Sequence, residues 1–494
     1  MRFLRNQPGP ERRRHTTSLG AARGQNGGMP RSTTLNRPLA LLVAGTAFME
    51  ILDGTIIQTA APAMAADLGV RAVDINLAMT TYLLTLAVGV PVSGWLADRF
   101  GTKRIFCIAI VIFTVASALC AVSTSLPMLC VMRVLQGIGG AMMVPVGRLA
   151  VLRAVNKGDL LDAMAYLTWP ALLAPVIAPV LGGILADTVG WEWIFLLNIP
   201  LGIVAFLAAL KYVPALEERS REGLDWWGFL LVGVTLAALV LGMEQVGAAP
   251  TDWLLSAGLL LVASLVGAGA ILRLRLARHP LLDLSALRIA TFRVGNVGGG
   301  MYRLLIGAAP FLFVLLFQSG FGWSASQAGL MVMAVFLGNI LIKPATSPLI
   351  RAFGFRRVIV GANLCGAVVY AGCVLLTPST PLWLVAVLLF ASGVFRSIGF
   401  SGYNSVQFAD VPPALTSRAN TLASTMQQVA TGLGIAVAAL VVRVTTIAAD
   451  AVDPGVPELG YRWAFGVVAV LLVLPAIEAA RMPAQAGDEV AARR

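Results

Sequence analysis

Glu50 and Asp53 stand three residues apart inside an apolar run, so a helix places both carboxylates on one face. A charge in a hydrocarbon interior is costly unless it is paired or wetted. Burial and mutual repulsion favour a proton on at least one of the two near neutral pH, which suits a group that must load and release protons. The alternative is that both serve as ion-paired structural residues. Arg133, in another apolar run, is the natural partner. A pairing that depends on ligand or protonation would couple the two events, and a permanent salt bridge is the plainer alternative. Arg303, Lys343 and Arg396 also lie in apolar runs. With Arg133 they outnumber Glu50 and Asp53, a balance that tolerates anionic or zwitterionic ligands better than a carboxylate-rich cavity would. Lys343 sits near the end of its run and can instead snorkel to the interface. Polar and aromatic residues able to line a cavity among these charges include Tyr82, Gln136, Trp169, Tyr302, Gln318, Tyr403, Asn404 and Gln427.

Other chemistry finds no support in the residues. His15 and His279 fall in polar segments, which leaves neither a histidine metal cluster nor a Ser/His/Asp set. Cys107, Cys120, Cys130, Cys365 and Cys373 lie in apolar runs without CxxC spacing and read as small buried hydrophobes. Gly137-Ile-Gly139-Gly140-Ala141 and Gly295-Asn-Val-Gly298-Gly299-Gly300 have the look of nucleotide loops, but both sit inside apolar spans and read as helix-packing surfaces. There is no Walker lysine motif, so ATP is not the expected energy source, and no cofactor is implied.

The elements that must position these charges follow from composition. The 494 residues are 58% hydrophobic and 12% charged, with mean hydropathy +0.84. Soluble domains carry about 25% charged residues, so this chain cannot coat a water-facing surface. Apolar runs of about 20 residues, the length of a membrane-crossing helix, recur between short polar breaks. They fall at approximately 39–60, 76–97, 105–122, 127–151, 163–186, 192–212, 226–246, 253–273, 294–318, 325–350, 357–377, 382–403, 415–444 and 461–481. The runs do not alternate at period two, so the expected fold class is an all-α polytopic membrane protein of about fourteen helices rather than a barrel.

Orientation comes from the positive residues. Loops after even-numbered spans carry Arg99, Lys103 and Arg104; Arg153 and Lys157; Lys211, Arg219 and Arg221; Arg273, Arg275, Arg278 and Arg288; Arg351, Arg356 and Arg357; and Arg418. Loops after odd-numbered spans hold little beyond Arg71 and Arg462. Both termini are therefore expected in the cytoplasm. Residues 1–38 form a basic tail read as disordered, with eight arginines up to Arg37 against Glu11 alone, so the net charge of +12 is no sign of nucleic-acid binding. The tail lacks the short hydrophobic segment and cleavage site of a signal peptide, and Met29 is an alternative start.

An internal repeat divides the rest. Asp98-Arg-Phe-Gly-Thr-Lys-Arg104 and Arg351-Ala-Phe-Gly-Phe-Arg-Arg357 align at Phe100/Phe353, Gly101/Gly354, Lys103/Arg356 and Arg104/Arg357. Both follow the second span of a six-span unit if spans seven and eight are an insertion. The expected organisation is a six-helix half at 39–212, a linker and two inserted helices at 213–275, a cytoplasmic linker at 276–293, a second half at 294–482 and a tail at 483–494. The inserted pair carries few charges and is expected to face lipid.

Four motifs in order resemble a known family. The loop Gly94-Trp-Leu-Ala-Asp98-Arg99-Phe-Gly101-Thr-Lys103-Arg104 resembles the signature loop of the major facilitator superfamily. Arg133-Val-Leu-Gln136-Gly137 is similar to its fourth-helix arginine motif, and Pro175-Val-Ile-Ala178-Pro179-Val-Leu-Gly182-Gly183 to the fifth-helix motif of drug antiporters. Leu52-Asp53-Gly54-Thr55, with Ala60-Ala61-Pro62, resembles the first-helix signature of the fourteen-span drug:proton antiporter branch, including the multidrug-resistance exporters of enteric bacteria. The likeness covers residues 39–482. Ala178 stands where the fifth-helix motif usually has glycine, and Arg351 replaces the acidic residue in the second loop copy.

The resemblance implies two halves around a midplane site and proton-driven export of small amphipathic compounds or drugs by alternating access, from the inner membrane of a bacterium, with no enzymatic activity. A dedicated exporter of an organic anion or other metabolite is the alternative. Glu50 and Asp53 would carry the proton and Arg133 would couple it. The loop residues Gly94, Asp98, Arg99, Gly101, Lys103 and Arg104 would gate. Asp98 is expected to accept from a neighbouring helix N-terminus or to pair with an arginine across the half interface. Pro175, Pro179, Gly182 and Gly183 would form the antiporter helix, able to bend. Tyr82, Gln136, Arg303, Lys343, Arg396, Asn404 and Gln427 are the candidates for the substrate cavity. The partners implied are the substrate, protons and the lipid bilayer, with a periplasmic adaptor as a further possibility.

Overall fold

The computed structural model describes residues 37–490 except 71, 157–158, 216–222, 248–251, 308, 454, 457, 484 and 488–489. Residues 1–36 of the basic tail, Met29 among them, and Arg71, Lys157, Arg219 and Arg221 lie outside the described residues, as do the side chains of Trp169, Pro175 and Pro179, whereas Arg37 and Pro38, expected in the tail, open the first helix.

Helices succeed one another along the chain. They are α1 (Arg37–Leu68), α2 (Asn76–Phe100), α3 (Thr102–Ala121), α4 (Leu126–Ala154), α5 (Leu160–Thr188), α6 (Trp193–Leu196), α7 (Asn198–Tyr212), α8 (Trp226–Gly247) and α9 (Trp253–Leu276). After the 3-10 turn Leu284–Arg288 come α10 (Ala290–Arg293), α11 (Gly299–Gly307), α12 (Ala309–Leu315), α13 (Ala325–Leu341), α14 (Lys343–Cys373), α15 (Leu382–Val406), α16 (Thr416–Val452), α17 (Leu459–Leu471) and α18 (Val473–Ala480). Local signals start several of them. Asp252 accepts from the Leu255 amide to cap α9, and Ser324 with Gln327 forms a capping box on α13. Pro127 occupies the first turn of α4, where its missing N–H costs nothing.

Among the described residues, eleven helical segments are long and apolar enough to cross a membrane. The fifth, tenth and thirteenth expected spans coincide with α5, α13 and α16, outside those eleven. The expected tenth span, 325–350, is divided at Ile342 between α13 and the start of α14, and α14 turns sharply at Gly354. Gly354 has φ 77° and Gly101 φ 92°, so the two loop copies make the same left-handed turn, open to glycine and strained for other residues. The ninth span is interrupted by π-helical turns at Val294–Gly298 and Leu316–Gly320.

Packing follows one scheme twice. In the first half α1 packs on α5, α2 and α3 both pack on α4, and α3 also meets α7. In the second, α11 packs on α16, α13 and α14 both pack on α15, and α14 also meets α17. Between halves α16 lies against α2 and α4, while α5 lies against α13 and α15, the same relation reversed. The inserted helices α8 and α9 pack on each other, and α8 lies along the α2–α16 seam. The outer surface of α9 exposes Leu254, Leu261, Leu265 and Leu272, a lipid-type face. Small residues permit the close crossings. A Cβ on Gly139 would fall 2.7 Å from the Phe113 backbone nitrogen, and one on Gly182 would fall 2.8 Å from Ile56 of α1. The glycine run at 137–140 is thus a packing surface.

Candidate functional site

The two acidic residues of α1 end in different surroundings. Three residues turn a helix by about 300°, so positions i and i+3 lie about 60° apart on one face. That offset is enough to point Asp53 into the first half and Glu50 toward the space between halves. Asp53 is 1% exposed. Its Oδ2 accepts from Arg133 Nη1 of α4, and its Oδ1 accepts from Gln136 Nε2 at 2.8 Å and from Asn198 Nδ2 of α7 at 2.7 Å. Gln136 also donates to Ser117 Oγ of α3 at 2.7 Å. The Arg133 guanidinium lies 4.0 Å from the centroid of the Tyr82 ring, a cation–π contact. Arg133 and Gln136 are 0% exposed. Helices α1, α4 and α7 thereby hold one carboxylate, one guanidinium and their amide partners in a buried network, with Ser117 of α3 and Tyr82 of α2 against it.

Glu50 faces a cavity of about 470 Å³ lined by both halves. Its Oε2 is buried without a hydrogen-bond partner. Arg148 of α4 lines the same cavity, reaching Gln427 Oε1 of α16 at 3.4 Å, and its Nη1 is likewise buried and unpartnered. Across the cavity stand Arg303 of α11 and Arg396 of α15. Arg303 donates to Asn404 Oδ1 at 2.7 Å and to the Gly295 carbonyl at 3.5 Å, an acceptor within the π-helical turn. Nε of Arg303 and Nη1 of Arg396 have no partner.

Of the residues expected on the cavity wall, Arg303, Arg396, Asn404 and Gln427 line it. Tyr82, Gln136 and Lys343 are not among the lining residues. Tyr82 and Gln136 belong to the Asp53 network, and Lys343 is buried at the start of α14, donating to Ser401 Oγ at 2.7 Å rather than snorkelling. Tyr403 is buried, donating to the Pro475 carbonyl at 3.1 Å, and Tyr302 donates to the Phe395 carbonyl at 2.9 Å; Gln318 is exposed. The sequence reading missed Arg148, although it lies within the expected fourth span, fifteen residues beyond Arg133. It also missed Asn198 and Ser117, whose uncharged side chains stand out little in apolar runs.

The loop motif joins the halves. Asp98 Oδ1 pairs with Arg153 of α4 at 2.7 Å, and its Oδ2 accepts from Ser417 Oγ in the first turn of α16, also at 2.7 Å. The cross-half partner is therefore a hydroxyl at a helix N-terminus, and the arginine comes from the same half. Gly94 lets α16 approach, since a Cβ there would fall within 3.0 Å of Thr421 Cβ. Lys103 Nζ donates to the Leu210 carbonyl near the C-terminus of α7 at 2.6 Å, and Arg104 is exposed. In the second copy Arg351 reaches Asp162 in the first turn of α5 at 2.7 Å. The departure noted at Arg351 is thus matched by an acidic residue on the opposite half. Gly183, unlike Gly182, faces open space. Asn420 adds a cross-half bond to the Pro145 carbonyl at 2.9 Å. Among the described residues, the cross-half hydrogen bonds cluster between the loop motifs and the cavity.

The model of the Major Facilitator Superfamily matches residues 43–308 and 296–484. The chain belongs to that superfamily. Its relatives include proteins provisionally named multidrug resistance protein MdtD. One from Pectobacterium atrosepticum is 36% identical over 90% of this chain and 95% of its own length. One from Cronobacter sakazakii is 37% identical over 90% of this chain and 94% of its own length. Among solved structures, the human organic anion transporter MFSD10 superposes with TM-score 0.64 at 16% identity, covering 90% of this chain and all of that one. The proton:xylose symporter XylE superposes with TM-score 0.58 at 12% identity, covering 92% and 97%. These two likenesses show the major facilitator fold alone. The chain is a multi-pass membrane transporter of that superfamily.

Proposed function

We propose that this transporter is a proton-coupled exporter of small amphipathic compounds, working by alternating access across a bacterial inner membrane with both termini in the cytoplasm. The observation that carries the reading is Glu50, a carboxylate with an unpartnered oxygen on the wall of the cavity between the halves. A group so placed can hold a proton when the cavity is empty and release it when a cationic substrate enters, and a rocking motion of the halves would carry the two in opposite directions in turn. Asp53, enclosed with Arg133, Gln136 and Asn198, holds the first half together. The MdtD relatives, named for multidrug resistance, support export as the direction.

Purified protein in liposomes under an imposed pH gradient tests this. Efflux of a cationic dye is expected to respond to the gradient in the wild type and to lose at least tenfold of that response in Glu50→Gln. Full gradient-driven efflux by Glu50→Gln would refute the assignment.

A second reading, export of an organic anion, is favoured by one feature. Arg148, Arg303 and Arg396 line the cavity against Glu50 as its acidic residue among those described. Labelled carboxylates run beside the dye in the same liposomes separate the two. If anion flux dominates and falls in Arg303→Gln and Arg396→Gln, the second reading holds.

A further inference from the structure

Arg148 belongs to none of the motifs that point to the superfamily, yet it occupies a pivotal place. It lies on α4 of the first half, its Nη2 reaches Gln427 of the second half at 3.4 Å, and its Nη1 is buried without a partner. Glu50 shares its cavity. The charged and titratable groups around Glu50 are Asp53 on its own helix, Tyr82 of α2 and Arg148 of α4. Across the cavity stand Arg303 and Arg396. Asp53 is already saturated by Arg133, Gln136 and Asn198. Arg148 is accordingly the cation left to offset Glu50 on this wall.

We propose that Arg148 is the residue for which the Glu50 carboxylate and an anionic substrate compete, so that an anion loads together with a proton whereas a cation loads in exchange for one. This rests on the proton-site reading of Glu50 given above.

The argument is electrostatic. A buried guanidinium requires a counter-charge, and the ionised carboxylate of Glu50 supplies it when the cavity is empty. An anion that takes over Arg148 leaves Glu50 without its cation and facing a second negative charge. The favourable response is uptake of a proton onto the Glu50 carboxylate. A cation does the opposite, since it is attracted by ionised Glu50 and displaced when that group is protonated. Linkage is reciprocal, so whatever factor the proton adds to anion affinity, the anion adds to proton affinity. The sign of the substrate's charge therefore sets the sign of the coupling. A cation would be exchanged for protons, whereas an anion would leave with one, driven by its own gradient and, for a multivalent anion, by a membrane potential negative inside.

Dicyclohexylcarbodiimide modifies protonated carboxyl groups in apolar surroundings, and labelling of the Glu50 peptide can be read by mass spectrometry on the full chain in lipid nanodiscs. At fixed pH, phthalate is expected to raise the labelling rate several-fold and tetraphenylphosphonium to lower it. Arg148→Gln should label faster without ligand and lose the phthalate response, and Arg148→Lys should retain the response, which separates the charge from folding. A phthalate response absent in the wild type, of the same sign as that of tetraphenylphosphonium, or intact in Arg148→Gln would overturn the proposal. Gradient-driven efflux that survives Glu50→Gln, with the labelling response intact, would instead overturn the exporter assignment of Glu50 and leave the competition at Arg148 standing.

Discussion

Asp53 and Glu50 show how position alone separates two chemically similar residues. Asp53 offsets Arg133 in a site closed to water, so removing its charge leaves a buried guanidinium unmatched, at a cost of about 3–5 kcal/mol. Asp53→Asn should lower the melting temperature in detergent markedly and by more than Glu50→Gln, because Arg133 is closed in with Asp53 whereas Arg148, the cation that Glu50 offsets, lines a cavity. Equal melting temperatures for the two variants would contradict the assignment. Outside the membrane, Asp283 caps the 3-10 turn before α10, accepting from the Ser285 amide at 2.9 Å and from Arg418 at 3.4 Å. Burial pushes its carboxyl up, but the bonds from Ser285 and the charge of Arg418 outweigh it and hold the group below the usual carboxylate range. A lowered value in the folded state means that stabilisation is present above the ordinary range and is lost as pH falls through the lowered one. Hydrogen exchange at residues 284–288, corrected for the intrinsic rate, should therefore speed up on acidification in the wild type and show no such step in Asp283→Ala.

At the scale of elements, the two halves are fastened by paired contacts of opposite polarity. Asp98 of the first loop copy meets the start of α16, and Arg351 of the second meets the start of α5. Arg351 and Asp162 are partly exposed, so their bridge is worth at most about 1 kcal/mol, or roughly a fivefold change in the balance between open and closed arrangements. Arg351→Asp should shift that balance toward separation at the loop-motif end, measured by spin-label distances between α5 and α14. The exchanged pair Arg351→Asp with Asp162→Arg should restore it, and failure of the exchange to restore it would remove the bridge from the closing mechanism. Sequence could show that the acidic residue of the second copy was replaced. That Asp162, 189 residues away, answers it is a property of how α5 crosses α13 and α15.

For the molecule as a whole, the charge of the loops supports the proposed topology of fourteen spans with both termini in the cytoplasm. Reporter fusions at residues 220 and 279 should read as cytoplasmic, and those at residues 250 and 378 as external. A reversed result at either pair would break the fourteen-span arrangement. Among the described residues, the inserted pair adds no charged residue to the lining of the cavity, and α8 instead covers the seam where α2 and α16 meet.

Sequence by itself determined that the chain crosses a membrane, because twelve per cent charge cannot clothe a soluble fold. It also determined the superfamily, because Gly101 and Gly354 mark equivalent turns and Asp98, Arg133 and Gln136 stand in recognisable motifs. The apolar runs made the helices legible, since each span must satisfy its own backbone in lipid. Tertiary structure alone decided which charges meet. It enclosed Asp53 with Arg133, took Tyr82, Gln136 and Lys343 away from the cavity, and placed Arg148 on the cavity wall that Glu50 also lines. The physical reason is that a polar residue in a span must face some interior, and helix crossing, which sequence spacing does not encode, selects between the packed core of one half and the cavity between two.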